Sequence, residues 1–200
     1  MATAFLPRIV ALGRGTAKAQ LGSILQQCNV SRPFVVTDRN LEGLTNQVLA
    51  SAQVDAAHIY ADECAEPTSE RIDAMALALA RSNADGVVAV GGGSPLDAAK
   101  LAVVLTEFGG SCRDYKAPVL TNATPNLPLI AIPTTAGTGA EVTRYAVVTD
   151  SASGEKMLCA GSAFVPAACV VDGALADGSP STLTADVGVD ALCHAMEAFV

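Results

Sequence analysis

Runs rich in β-branched residues recur at 9–12, 34–37, 58–60, 87–90, 129–132 and 169–171, and each predicts a strand. Between them, Ala- and Leu-rich stretches at 17–27, 41–52, 69–82 and 94–105 predict helices. Short apolar strands alternating with helices are the pattern of an α/β fold, a parallel sheet covered by helices, because a strand buried on both faces needs no polar side. Residues 145–149 and 155–159 flank Ser151-Ala152-Ser153-Gly154 and predict a hairpin inserted after the sheet. Residues 109–127, with Gly109, Gly110, Pro118 and Pro125, read as a long surface connection. From Pro180 onward the strands stop, and Ser181-Thr182-Leu183-Thr184 starts a helical region. That region runs to Glu197-Ala198-Phe199-Val200 without the Gly or Asn and the basic last turn that close a helix. Part of its apolar face is expected to lack a partner, and the chain is expected to be the front part of a longer protein.

Composition narrows the class. Two hundred residues at 50% hydrophobic and 16% charged describe a soluble chain, long enough for one buried domain or for a domain and part of another. Aromatic residues make up 4% and Trp is absent, so the core must come from Ala, Val, Leu and Ile. A formal charge of −8 argues against a nucleic-acid backbone or an anionic membrane as partner. No stretch reads as a signal peptide, and no apolar run reaches the ~18 residues of a membrane span, so cytoplasm is the expected location. The six cysteines (Cys28, Cys64, Cys112, Cys159, Cys169 and Cys193) form no Cys-x-x-Cys pair and predict buried reduced thiols. Cys193 is set apart because it adjoins His194.

The final helical stretch places Asp190 and His194 one turn apart on a single face, where both can reach one divalent cation. Zinc or ferrous iron normally takes three or four protein ligands, and the only other histidine is His58. A surface Asp beside a core histidine satisfies the same spacing.

A sharper motif follows the fourth predicted strand, Val90-Gly91-Gly92-Gly93-Ser94-Pro95-Leu96-Asp97-Ala98-Ala99-Lys100. Three glycines between strand and helix let the backbone approach a ligand, and Pro95 suits a first helical turn. The N–H groups of such a helix start form an anion site suited to a pyrophosphate. The motif is neither a Walker loop nor Gly-x-Gly-x-x-Gly. A tight turn with Ser94 as N-cap and Asp97 in a capping-box role is the alternative. A second cluster, Thr134, Thr135 and Thr138 with Gly137 and Gly139, follows the next strand, where open α/β sheets bind ligands; a plain polar loop is its alternative. Asp38 ends Val35-Val36-Thr37-Asp38, at the strand tip where an acid can accept from ribose hydroxyls.

Together these residues resemble the iron-containing alcohol dehydrogenase family. The resemblance runs from about Val10 to Val200 and rests on Gly-Gly-Gly-Ser-Pro-x-Asp-Ala-Ala-Lys, on Ile-Pro-Thr-Thr-Ala-Gly-Thr-Gly-x-Glu-Val-Thr, on Lys156 after Gly154, and on Asp-Ala-Leu-x-His-Ala-x-Glu-Ala. It implies a Rossmann-like dinucleotide-binding domain over 1–180, and over 181–200 the first helix of an all-helical metal-binding domain whose remainder, with two further histidine ligands, lies beyond this chain. It implies NAD and a divalent metal, iron or zinc, as cofactors, and a small alcohol or carbonyl compound as substrate. By position, Asp38 would hold the adenine ribose, and Gly91, Gly92, Gly93 and Ser94 the pyrophosphate. Asp97 would lie at the nicotinamide end, Thr134, Thr135, Thr138, Thr143 and Val147 would line the nucleotide, and Lys156 would contact the cofactor. Asp190 and His194 would be metal ligands.

Ala140 stands where the family usually has Ser, Gly173 where it has Pro in Asp-Pro-x-Leu, and Cys193 where Thr is common. The implied activity is a metal-dependent alcohol dehydrogenase. Maleylacetate reductases of the family generally lack the metal, and the retained Asp190 and His194 argue against that branch. Hydroxyacid-oxoacid transhydrogenases and a non-catalytic nucleotide-binding remnant stay open, as does homo-oligomerisation.

Overall fold

Each predicted strand forms, and each joins the sheet its pattern requires. The computed structural model describes residues 4–56, 58–62 and 66–199; Cys64 and Val200 lie outside the described residues. Its strands are β1 (Ile9–Leu12), β2 (Pro33–Asp38), β3 (His58–Asp62), β4 (Gly86–Gly91), β5 (Leu129–Pro133), β6 (Tyr145–Thr149), β7 (Lys156–Ala160) and β8 (Ala168–Val171). Six of them make one parallel sheet in the order β1-β8-β5-β4-β2-β3, and β6 and β7 pair as a separate antiparallel hairpin. The helices are α1 (Thr16–Gln27), α2 (Glu42–Ser51), α3 (Ser69–Arg81), α4 (Gly93–Phe108) and α5 (Ser181–Phe199).

The sheet is covered on both faces. Leu21 and Ile24 of α1 and Val48 and Leu49 of α2 pack against Val35, Val88, Val90, Ile130 and Ile132. On the other face, Ile72 and Met75 of α3 and Leu96, Leu101 and Val104 of α4 meet Phe34, Val36, Val87, Ala89 and Ala131. Successive residues of β4 therefore face opposite cores, which is why its sequence is unbroken by polar positions. Helix α4 is apolar on nearly every side, from Ala98 to Leu105, because it is wedged between α3, the sheet and the hairpin. Burying one such Leu or Val side chain contributes about 1.5–3 kcal/mol.

Two expectations are corrected. Helix α4 begins at Gly93 with Gly92 at the N-cap, so Ser94 lies inside the first turn. The connection 109–127 is not confined to the surface: a 3-10 turn over Cys112–Tyr115, closed by a Ser111/Asp114 capping box, sends Cys112 and Tyr115 into the core. Cys28, Cys112, Cys159 and Cys169 are buried free thiols, whereas Cys193 is exposed. Burial pushes the Cys112 thiol up to about 12 and those of Cys159 and Cys169 up to about 11, which makes them inert. Helix α5 buries no residue, and Leu183, Val189, Leu192, Met196 and Phe199 are exposed along it. No helix among the described residues is long and apolar enough to cross a membrane.

Candidate functional site

Strands β2 and β4 are neighbours, yet the helices that follow them leave on opposite faces of the sheet. A crevice opens at the carboxyl ends of strands wherever the chain diverges in this way. Here it is a cleft of about 650 Å³. Gly92, Gly93, Ser94 and Pro95 line it beside the start of α4, and Thr134, Thr135 and Thr138 line it beyond β5. Asp38, Asn40, Leu41 and Leu44 line it beyond β2. The remaining wall comes from the segment after β8, with Ala174, Leu175 and Pro180, and from Leu183 and Val187 of α5.

The three glycines do different work. Gly91 has φ +154°, and a Cβ there would lie 2.7 Å from Pro95 Cγ, so only glycine fits. At Gly93 a Cβ would press on Thr138 Cγ2 at 3.0 Å. Gly92 has an ordinary φ of −76°, and its Cβ would meet Thr135 Oγ1 at 3.4 Å, normal contact. Nothing in the fold therefore demands glycine at 92. The missing side chain leaves room over the first turn of α4, whose N-cap Gly92 makes no side-chain cap. A sixteen-residue helix starting there presents the positive end of its dipole.

A rival anion site at the start of α1 is already filled. The Asp172 carboxylate accepts from the N–H groups of Gly15 at 2.8 Å and Ala17 at 3.0 Å. At the cleft edge, Asp38 Oδ1 accepts from the Asn40 N–H at 2.7 Å and caps the 3-10 turn Arg39–Leu41. A carboxylate has further acceptor capacity for hydroxyl donors.

Five residues expected at the nucleotide do not line the cleft: Gly91, Asp97, Thr143, Val147 and Lys156. Asp97 Oδ2 accepts from the Val147 N–H at 3.0 Å, and its Oδ1 lies 3.5 Å from Lys100 Nζ. Lys100, 1% exposed, donates to Thr143 Oγ1 at 3.1 Å and to the Tyr145 carbonyl at 2.8 Å. Burial pushes the Asp97 carboxyl up and the Lys100 ammonium down, and their mutual attraction opposes both shifts. The knot fastens α4 to the chain entering β6. Lys100 was legible only as a lone cation in an apolar helix, three residues after Asp97. Lys156, at the start of β7, is exposed and pairs with Glu66 at 2.9 Å.

Asp190 Oδ1 and His194 Nε2 are 3.6 Å apart on α5, both about half exposed. At 100° per residue they share a face with the cleft-lining Leu183 and Val187, continuing about 5 and 10 Å beyond Val187. The pair fits two positions of a divalent cation. Among the described residues no group of three or more His, Cys, Asp or Glu that could hold a metal ion converges, and two donors alone do not close one.

A sequence profile described as iron-containing alcohol dehydrogenase matches residues 7–173. The NAD-dependent methanol dehydrogenase of Bacillus methanolicus is 36% identical over 205 residues, covering 100% of this chain and 53% of that protein. The probable alcohol dehydrogenase EutG of Escherichia coli strain K12 is 38% identical over 200 residues, covering 97% of this chain and 50% of that protein. Among solved structures, the sulfoacetaldehyde reductase of Bifidobacterium kashiwanohense in complex with NAD+ superposes with a TM-score of 0.87 at 28% identity, over 95% of this chain and 51% of that one. The chain thus spans about half the length of the curated relatives it matches.

Proposed function

The chain belongs to the iron-containing alcohol dehydrogenase family, and on that premise we propose that its cleft binds NAD and that the whole protein is a metal-dependent alcohol dehydrogenase. The observation that carries this reading is the meeting, in one cleft, of Asp38, the helix start at Gly92, Gly93 and Ser94, and Thr134, Thr135 and Thr138. The N–H groups of the first turn of α4 hold the pyrophosphate, and Asp38 accepts from the adenine ribose. Leu41, Leu44 and Leu175 offer apolar walls to the adenine, and the three threonine hydroxyls complete the polar lining. An NAD-dependent relative and an NAD+-bound one support the choice of cofactor.

Residues 1–180 act in this reading as the nucleotide domain, and α5 begins a helical metal-binding domain. Asp190 and His194 would supply two donors to iron or zinc; such a cation would provide Lewis acidity toward an alcohol or carbonyl oxygen, and a bound nicotinamide would provide hydride chemistry. The presence of both donors favours the metal-dependent branch over maleylacetate reduction.

Calorimetry of the 200-residue chain with NAD tests the cofactor assignment. Saturable binding at one site per chain is expected, and no heat at millimolar NAD would overturn it. Metal analysis after dialysis against Fe2+ or Zn2+ is expected to find weak occupancy that His194→Ala removes. Absorbance of NADH with primary alcohols is expected to show no turnover from these 200 residues alone, because two ligands leave the cation's other positions to water.

A further inference from the structure

We propose that Asp172 is a positioning residue for the cleft: its carboxylate fills the N-terminus of α1 and so holds the strap 173–180 in place as the cleft wall. The inference rests on the reading of the cleft as a dinucleotide site, and it assigns a residue that touches no part of that ligand.

Asp172 follows β8 directly and is 5% exposed. One oxygen, Oδ1, accepts from Gly15 N–H at 2.8 Å and from Ala174 N–H at 3.0 Å; the other, Oδ2, accepts from Ala17 N–H at 3.0 Å. The same carboxylate thus caps α1 and caps the 3-10 turn Gly173–Leu175 that begins the strap. Ala174, Leu175, Gly178, Ser179 and Pro180 of the strap all line the cleft. Leu175 also packs against the core on the α1 side of the sheet. A second, exposed tie joins Arg14 of the β1–α1 turn to Asp177 of the strap.

Gly173 stands at its head, where a Cβ would meet nothing within 4 Å, so no side-chain packing at this position braces the strap. Burial raises the Asp172 carboxyl, but donation from Gly15, Ala174 and Ala17 outweighs it and holds the group below the usual carboxylate range. The ionised form is therefore the one that the α1 turn and the strap share.

The test uses the 200-residue chain, with NAD affinity by calorimetry and amide exchange over 174–179 as separate readouts. Asp172→Asn keeps the shape but sets an amide against an N–H donor. It is expected to weaken NAD by about 10-fold or more, the scale of one charge-assisted hydrogen bond, and to speed exchange in the strap by a similar factor, with α3 amides unchanged. Asp172→Gly is expected to recover NAD affinity and strap protection saturably with added formate, which can occupy the vacated site, and not with chloride at equal ionic strength. A purely structural role would lower the melting temperature without formate rescue, and that result overturns the proposal. Wild-type affinity and unchanged strap exchange in a folded Asp172→Asn chain overturn it as well. Asp172→Ser, which retains one acceptor, takes the same measurements if the Asn variant does not fold. Should the wild-type chain not bind NAD, the cofactor reading fails alone, and faster strap exchange in Asp172→Asn still supports the positioning role.

Discussion

Gly137 of the threonine loop and Val187 of α5 are in backbone contact: a Cβ on Gly137 would lie 2.5 Å from the Val187 carbonyl oxygen and 2.6 Å from its Cβ. The contact seats α5 on the loop after β5, and it closes the cleft on the side where Leu183 and Val187 project. Because the obstacle is helix backbone, rotamer changes cannot relieve it.

Gly137→Ala is therefore expected to lift α5 from the loop. Overpacking of this kind costs about 1–3 kcal/mol. Amide exchange along α5 should accelerate while the strands of the sheet keep their protection, and NAD affinity should fall because one wall of the cleft moves. Unchanged exchange in α5 would show that the helix does not rest on Gly137.

Gly92→Val is expected to abolish NAD binding and leave the fold intact. The backbone at 92 is in ordinary φ space, so the side chain is accommodated beside Thr135 but occupies the approach to the first turn of α4. The positive φ belongs instead to Gly91, where even Ala collides with Pro95 and destabilisation is expected. Calorimetry beside circular dichroism separates the two outcomes, and retained NAD binding in Gly92→Val would reduce the glycine run to a structural turn.

NAD should be preferred over NADP, since in the proposed site the Asp38 carboxylate at the cleft edge would accept from ribose hydroxyls and repel a 2′-phosphate. The ratio of the two dissociation constants reports this directly. Asp38→Gly should bring the ratio toward unity; a ratio unmoved by the substitution would remove Asp38 from the ribose site.

Acid stability should carry the signature of Asp150. Its carboxylate accepts from the Ser153 hydroxyl and pairs with Arg113, interactions that hold it at about 2 against an ordinary 3.8. A depressed folded-state value means that the contribution is fully present above about pH 4 and is lost as the pH falls toward 2. Asp150→Asn should melt below the wild-type chain at pH 5, and the gap should close on acidification to pH 2. A gap that stays constant over that range would place the carboxylate's role in shape and not in charge.

The order of strands and helices was legible in the residues because each element is signalled within a few positions. The run Gly86–Gly91 is apolar without alternation because both faces are covered, and Gly91 to Pro95 announces a strand-to-helix turn by local chemistry alone. Asp38, Gly92 and Thr134 were placed at strand ends by the same local reading, and the parallel sheet brings those ends to one edge. Which polar groups then face the cleft was decided by tertiary structure. Asp97 lies one turn from Gly93, yet the inserted hairpin offers it the Val147 N–H and its own helix the buried Lys100, and it does not line the cleft. Lys156 rides the far strand of that hairpin and meets Glu66. Asp172 reaches Gly15 across 157 residues because β1 and β8 are neighbours in the sheet, a pairing that no periodicity announces. Backbone geometry is set over a few residues by sterics and hydrogen bonding, whereas the partner of a buried charge is set by whichever distant segment the packed sheet brings within about 3 Å of it.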